Sequence, residues 1–231
     1  MLKIGVPAIK LASGELYNPE LVSAIIEANI PIFVSTGMSS WSDIDTAIAS
    51  FKNTDTKIIL MQCTSKYPTQ LKDVGLNIID EMEQKYDCPI GLSDHSGSIY
   101  PGLAAISQNI AALEVHVTFH KNMFGPDVSS SLELSELETL VKHRDAMHIM
   151  NRNPVDKTQM AKDLTNMRLL FSRSIAPKSR IKKGETISSD SLTLKKPGTG
   201  ISGSYLSELI GKRAKQDIEV DQLIEWDFLE D

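Results

Sequence analysis

An α/β fold built on parallel strands, followed by a small β-rich domain, is what this sequence predicts. Three observations carry the expectation. Five short apolar runs begin at residues 8, 31, 57, 88 and 111, at intervals of 23, 26, 31 and 23 residues, and a helix-like segment follows each; that is the pattern of a βα repeat. The runs Ile32-Phe33-Val34 and Ile58-Ile59-Leu60-Met61 are continuously apolar, which predicts strands buried on both faces. After Met150 the pattern changes: residues 151–167 are polar, and beyond them turns such as Lys182-Lys183-Gly184-Glu185 become frequent.

The elements follow in order. The run 8–13 precedes a segment, 18–30, in which Leu21, Val22, Ile25 and Ile26 share one helical face. The run 31–36 precedes 42–51, with Ile44, Ala47 and Ile48 as its stripe. The runs 57–63, 88–93 and 111–117 complete the strands, and Ser135 and Glu138 have the capping-box spacing for a last helix over about 136–150. The organisation expected is a domain over 1–150, a linker or loose helix over 151–167 and a second domain over 168–231. At roughly 60 residues the second domain is near the lower size limit for independent folding.

Bulk properties narrow the function. With 41% hydrophobic and 23% charged residues over 231 positions, the chain reads as globular rather than disordered. A net charge of −6 argues against nucleic acid as a partner. No apolar run reaches the roughly 18 residues that span a bilayer, and residues 1–5 lack the layout of a leader, so no membrane partner is expected. Cys63 and Cys88 lie in or beside strand runs and read as reduced thiols of a cytoplasmic protein. Between residues 168 and 215, 11 Lys and Arg stand against 3 Asp and Glu, while the last 16 residues carry 7 acids. That basic stretch is either a solvated face or one that meets an anionic substrate or an acidic neighbour.

In βα folds ligands bind where the carboxy-terminal strand ends converge, and here those ends are polar. They carry Lys10 with Ser13-Gly14-Glu15, then Ser35-Thr36-Gly37, Thr64-Ser65 with Tyr67, Ser93-Asp94-His95, and His116 with Gly125-Pro126-Asp127 beyond. Any one of them could be a helix cap; five together suit a phosphate or carboxylate ligand. Lys10 sits inside the run Ala8-Ile9-Lys10-Leu11-Ala12, where it either needs an anion or reaches solvent from an edge strand. His95 and His116 end neighbouring strands and read as two separately bonded histidines or as ligands of one ion, since spacing alone does not decide.

Taken together the segments resemble the sialic acid synthase family. The resemblance rests on Lys-Leu-Ala-Ser-Gly-Glu at 10–15, Ser-Thr-Gly-Met at 35–38, Cys-Thr-Ser-Lys-Tyr-Pro-Thr at 63–69, Gly-Leu-Ser-Asp-His at 91–95 and Lys-Asn-Met-Phe-Gly-Pro-Asp at 121–127. Residues 168–231, with Lys-Pro-Gly-Thr-Gly-Ile-Ser at 196–202, resemble that family's antifreeze-like (SAF) domain.

The resemblance implies a (β/α)₈ (TIM) barrel that condenses phosphoenolpyruvate with N-acetylmannosamine or a related amino sugar, including legionaminic-type precursors, and releases phosphate. It implies that Lys10, Ser13, Ser35, Ser65 and Ser93 hold phosphoenolpyruvate, and that His95 and His116 ligate a divalent Mn²⁺ or Mg²⁺. By the same resemblance Glu15, Tyr67 and Asp127 hold the sugar, and the chain is a homodimer whose SAF domain caps the neighbouring barrel. Lys196 stands where the family usually carries an arginine that reaches the sugar there, which removes a two-pronged donor.

The first strand matches the family's fourth, so the barrel expected is partial, equivalent to strands four to eight. Five strands cannot close an eight-stranded barrel. The chain is then expected to be a fragment, one half of a split enzyme whose missing strands come from a separate chain, or a non-catalytic remnant serving as a sugar-binding module.

Overall fold

A computed structural model of the chain describes residues 5–52 and 54–230; residues 1–4, read above for a leader, lie outside the described residues. The chain forms two units, with the boundary between Asn153 and Pro154. In the first unit the strands are β1 (Ile9–Leu11), β2 (Ile32–Ser35), β3 (Ile58–Cys63), β4 (Ile90–Asp94), β5 (Ala112–Thr118) and β6 (Ser131–Glu133). They pair parallel in chain order. Helices α1 (Pro19–Ala28), α2 (Trp41–Phe51), α3 (Leu76–Lys85) and α4 (Ile99–Ser107) alternate with the first five strands, and α5 (Leu134–Arg152) follows the sixth.

The helices begin where the sequence supplies caps. Asn18 accepts from the Leu21 amide at 3.2 Å ahead of Pro19 in the first turn of α1, and Ser40 and Asp43 cap α2 reciprocally. Ile25, Ile44, Phe51, Ile79 and Met82 pack from the helices onto Leu11, Ile32, Val34, Leu60 and Leu92 of the strands. The sheet is curled into a half-barrel. Lys10 on β1 forms an ion pair with Glu114 on β5, although three strands lie between them in the sheet. Such a bond is possible only across a concave face.

Three expectations need correction. The three-residue β6 was not foreseen; a strand that short leaves no periodic signal. The last helix of the unit starts at Leu134, and its cap is Glu133 with Glu136, whose carboxylate accepts from the Glu133 amide at 2.8 Å, instead of Ser135 with Glu138. β6 delivers Glu133 in an extended conformation, so the helix can begin two residues earlier. Burial on both strand faces holds only in part. Ile32, Val34 and Leu60 are buried, whereas Phe33, Ile58 and Ile59 are half-buried. Phe33 lies in register with Lys10 and with Ile59, on the concave face that six strands leave open.

The second unit starts with α6 (Lys157–Asp163) and α7 (Thr165–Phe171), with every residue from 154 to 173 exposed. It continues with β7 (Ser174–Pro177), antiparallel to β8 (Leu192–Lys195), and the single turn α8 (Leu206–Leu209). Its core gathers Ile175, Ile181, Ile187, Leu192, Leu209, Ile218 and Ile224 from largely irregular chain. The expected turn at 182–185 is present, with Gly184 at φ +81°, a conformation that glycine adopts freely. The basic stretch meets the acidic tail of its own unit: Arg180 bonds Asp217 at 2.6 Å and Glu219 at 3.2 Å, and Lys195 pairs with Asp221 at 3.0 Å. Among the described residues no helix is long and apolar enough to cross a membrane.

Candidate functional site

The polar strand ends of the first unit converge. Lys10, Ser13, Ser35, Ser65, Tyr67 and His95, which come from the neighbourhoods of β1, β2, β3 and β4, line one cleft of about 340 Å³ together with Cys63 and Met38. A larger hollow of about 540 Å³ is lined by Phe33, Leu113, Leu140 and Met147. Asn109, Arg144, His148 and Asn151 also line it, but it holds none of the polar strand ends, whose hydroxyls, lysine and His95 gather in the smaller cleft.

One end of the cleft is built for an anion. Ser13 Oγ donates to Ser35 Oγ at 3.1 Å and accepts from the Gly37 amide at 3.0 Å. A Cβ on Gly37 would collide with Ser65 Oγ and come within 2.8 Å of Cys63 Sγ and 2.9 Å of Ser13 Oγ. The absence of a side chain there is therefore what lets three polar side chains close on one point. Lys10 Nζ donates to Ser93 Oγ at 3.3 Å and to Glu114, and Ser93 Oγ donates to Glu114 Oε1 at 2.8 Å. Burial would push the Glu114 carboxyl up, but the bonds from Lys10 and Ser93 outweigh it and hold the group below the usual glutamate value. Lys10 meets both readings of its apolar run: it is exposed on the edge strand β1 and it is paired with an anion, and its partner is a residue that the sequence reading missed. The signal was available: Glu114 lies two positions before His116 on one strand and so projects to the same face.

The other end is aromatic and imidazole-rich. The rings of His95 and His116 meet edge to face with centroids 5.2 Å apart, and Tyr67 packs 4.3 Å from His95 and 5.8 Å from His116. Both histidines therefore lie on one face of the strand layer. His95 Nδ1 is 3.1 Å from the Thr64 carbonyl, which can only accept, so the proton sits on Nδ1 and Nε2 turns its lone pair toward Tyr67 Oη at 3.3 Å. His116 Nδ1 faces Asp127 at 3.6 Å. An acceptor behind Nδ1 is the usual support of a metal-binding histidine; His95 has one in Thr64, while its Nε2 is engaged by Tyr67. Among the described residues no three His, Cys, Asp or Glu side chains are grouped to hold an ion. His95 and His116 stand as a pair of neighbouring imidazoles.

Cys63 lies between the two ends. Burial raises its thiol, but contacts with His95, Ser35 and Ser13 more than offset this and bring it down to about 7. Both cysteines are free, Cys63 buried and Cys88 half-buried. Within the first unit, Ser93, His116, Asp127 and Glu15 do not line the cleft themselves; Ser93 meets it through Lys10 and His116 through Tyr67 and His95. Glu15 is exposed and accepts from Asn18 Nδ2 at 2.9 Å, where it supports the entry to α1. Lys196 belongs to the second unit, with its ammonium 5.1 Å over the Phe171 ring.

Comparison with known proteins points the same way. Residues 1–155 match the NeuB family and residues 172–230 the SAF domain. The chain is 29% identical to the N,N'-diacetyllegionaminic acid synthase of Legionella pneumophila, over all of this chain (100%) and 65% of that protein. It is 30% identical to human N-acetylneuraminate-9-phosphate synthase, over 96% of this chain and 62% of that one. The crystal structure of a sialic acid synthetase from Leptospira borgpetersenii in complex with citrate superposes with a TM-score of 0.65 at 31% identity, covering 72% of this chain and 59% of that one. The chain thus spans a little under two thirds of the length of these relatives.

Proposed function

The chain belongs to the NeuB family and carries a SAF domain, and from that premise we propose that it forms the carboxy-terminal part of a synthase condensing phosphoenolpyruvate with an N-acetylated amino sugar. The observation that carries this reading is the convergence of Lys10, Ser13, Ser35, Ser65, Tyr67 and His95 on one cleft. In this reading β1 to β5 correspond to the fourth to eighth strands of the barrel, β6 is an appendage, and the remaining strands complete the mouth opposite Lys10.

Lys10 and the hydroxyls of Ser13, Ser35, Ser65 and Ser93 hold the phosphate and carboxylate of phosphoenolpyruvate, fixed donors placed where negative charge has to be steadied. His95 and His116 would hold a divalent ion of the Mn²⁺ or Mg²⁺ type, and the chemistry it would supply is Lewis-acid polarisation of the sugar aldehyde. Tyr67 and Asp127 position the sugar beside the histidines. Glu15 joins them only if it leaves Asn18. Lys196 contacts the sugar from the SAF domain of a second subunit in a homodimer. The carbon–carbon bond forms between C3 of phosphoenolpyruvate and the aldehyde carbon, water adds at C2, and phosphate leaves by C–O cleavage.

The experiment is reconstitution. The chain is combined with the first three βα units of a related synthase, and phosphate release from phosphoenolpyruvate is followed. Release that requires both the amino sugar and the divalent metal supports the reading. A folded complex without turnover refutes it and favours a non-catalytic remnant.

A further inference from the structure

A carboxylate, Glu114, stands directly behind Lys10 at the end of the cleft that has to bind anions. Glu114 sits opposite Ser93 in the sheet register, and its Oε1 takes hydrogen bonds from both Ser93 and Lys10. Lys10 lines the cleft directly, and its ammonium has a second bond only to Ser93 at 3.3 Å. The side chains are 30% and 37% exposed for Lys10 and Glu114, so the pair is neither sealed in the core nor free in solvent. An anion reaching Lys10 from the cleft meets an ammonium already engaged by a carboxylate.

Resting on the anion-site reading above, we propose that Glu114 is the resident counter-ion of this subsite: it competes with a bound phosphate group for Lys10 and so loosens the cleft's hold on product phosphate. Two effects oppose each other when Glu114 loses its charge. Lys10 is held less firmly, and a repulsive charge close to the phosphate disappears. At a few Å in a half-buried site, the charge effect exceeds the entropy of fixing one lysine side chain. Neutralising Glu114 therefore tightens phosphate binding. The benefit of the charged form lies in turnover, because a subsite that gripped the free dianion as hard as Lys10 and four serines allow would release product slowly.

A carboxylate acting only as a brace between β1 and β5 makes the opposite prediction. Glutamine keeps the acceptor oxygen and the side-chain length, so Glu114→Gln would leave a brace almost intact, whereas the shorter Glu114→Asp would disturb it. The counter-ion reading predicts that Gln changes phosphate affinity and that Asp, which keeps the charge, does not.

The test is calorimetric titration of the 231-residue chain with inorganic phosphate at low salt and about pH 8, where phosphate is mostly dianionic. Expected are weak binding by the unaltered chain, its loss in Lys10→Met, at least a roughly tenfold gain in Glu114→Gln, and a change within about twofold in Glu114→Asp. Unchanged or weaker binding by Glu114→Gln, with Lys10→Met still losing it, overturns the role of Glu114 and leaves the synthase reading standing. Phosphate binding by none of the four chains removes the anion subsite itself, and both readings fall together.

Discussion

The two ends of the cleft are built on different principles. At the anion end Lys10, Ser35, Ser93 and Glu114 stand on strands, with Ser13 and Ser65 two residues beyond β1 and β3, and side-chain bonds reach across the concave face to tie β1 to β4 and β5. At the histidine end only His116 is on a strand. His95 follows β4, Tyr67 comes from the segment after β3, and Asp127 from the loop between β5 and β6. Sites on strands hold their geometry more firmly than sites on loops. The comparison teaches that the anion end is preorganised by the sheet, while the histidine end depends on loops whose geometry a ligand can tighten.

The sharpest way to break that comparison is at Lys10. Lys10→Met should weaken inorganic phosphate binding by roughly 100-fold, the value of a charge-assisted hydrogen bond or two, measured by titration calorimetry. A loss below about threefold would mean that the serines carry the anion without the lysine. Next come the histidines. If one ion is shared, His95→Gln and His116→Gln should each weaken Mn²⁺ binding by about 10- to 100-fold, read from the free-ion signal in paramagnetic resonance. An effect confined to one of them would mean that the two rings do not act on the same ion.

Gly37 tests the serine cradle without touching a charge. Gly37→Ala places a Cβ against Ser65, Cys63 and Ser13. Overpacking of this kind costs about 1–3 kcal/mol, seen as a lower midpoint in chemical denaturation. Phosphate affinity should fall with it, by about tenfold, because the hydroxyls must move apart. Normal stability together with normal phosphate affinity would show that the cradle has slack.

Much of this was legible in the sequence, for identifiable reasons. The first five strands were, because each lies within a longer apolar run, as a parallel strand packed against helices requires. The polar strand ends were legible because Ser, Thr, Lys or His at every one of five ends exceeds what caps require. Glu114 was not, since within Ala112–Thr118 it reads as an ordinary charged residue until its face and its distant partner are known. The bond that gives it meaning, to Lys10, crosses 104 positions of sequence. β6 escaped because three residues carry no period. The second unit's core escaped for a related reason: Ile181, Ile187, Ile201 and Ile218 are isolated apolar residues in irregular chain, brought together by single bridges such as Ile181 with Ile218.

The smallest effect is expected at Tyr67, and it separates the two ends most cleanly. Tyr67 offers His95 two things: a ring face 4.3 Å away and a hydroxyl 3.3 Å from Nε2. Tyr67→Phe removes only the second. If Nε2 is a metal ligand, the hydroxyl competes with the ion for the same lone pair. Its removal should leave Mn²⁺ affinity unchanged or raise it, by no more than about threefold, since one neutral hydrogen bond is worth roughly 1 kcal/mol or less. Phosphate affinity should not move, because Tyr67 has no bond to Lys10 or to the serines. Mn²⁺ titration and phosphate calorimetry on the same variant read the two ends separately. A fall in Mn²⁺ affinity of tenfold or more would show that the hydroxyl orients the ring instead of competing for it, and the histidine end would then be as preorganised as the anion end.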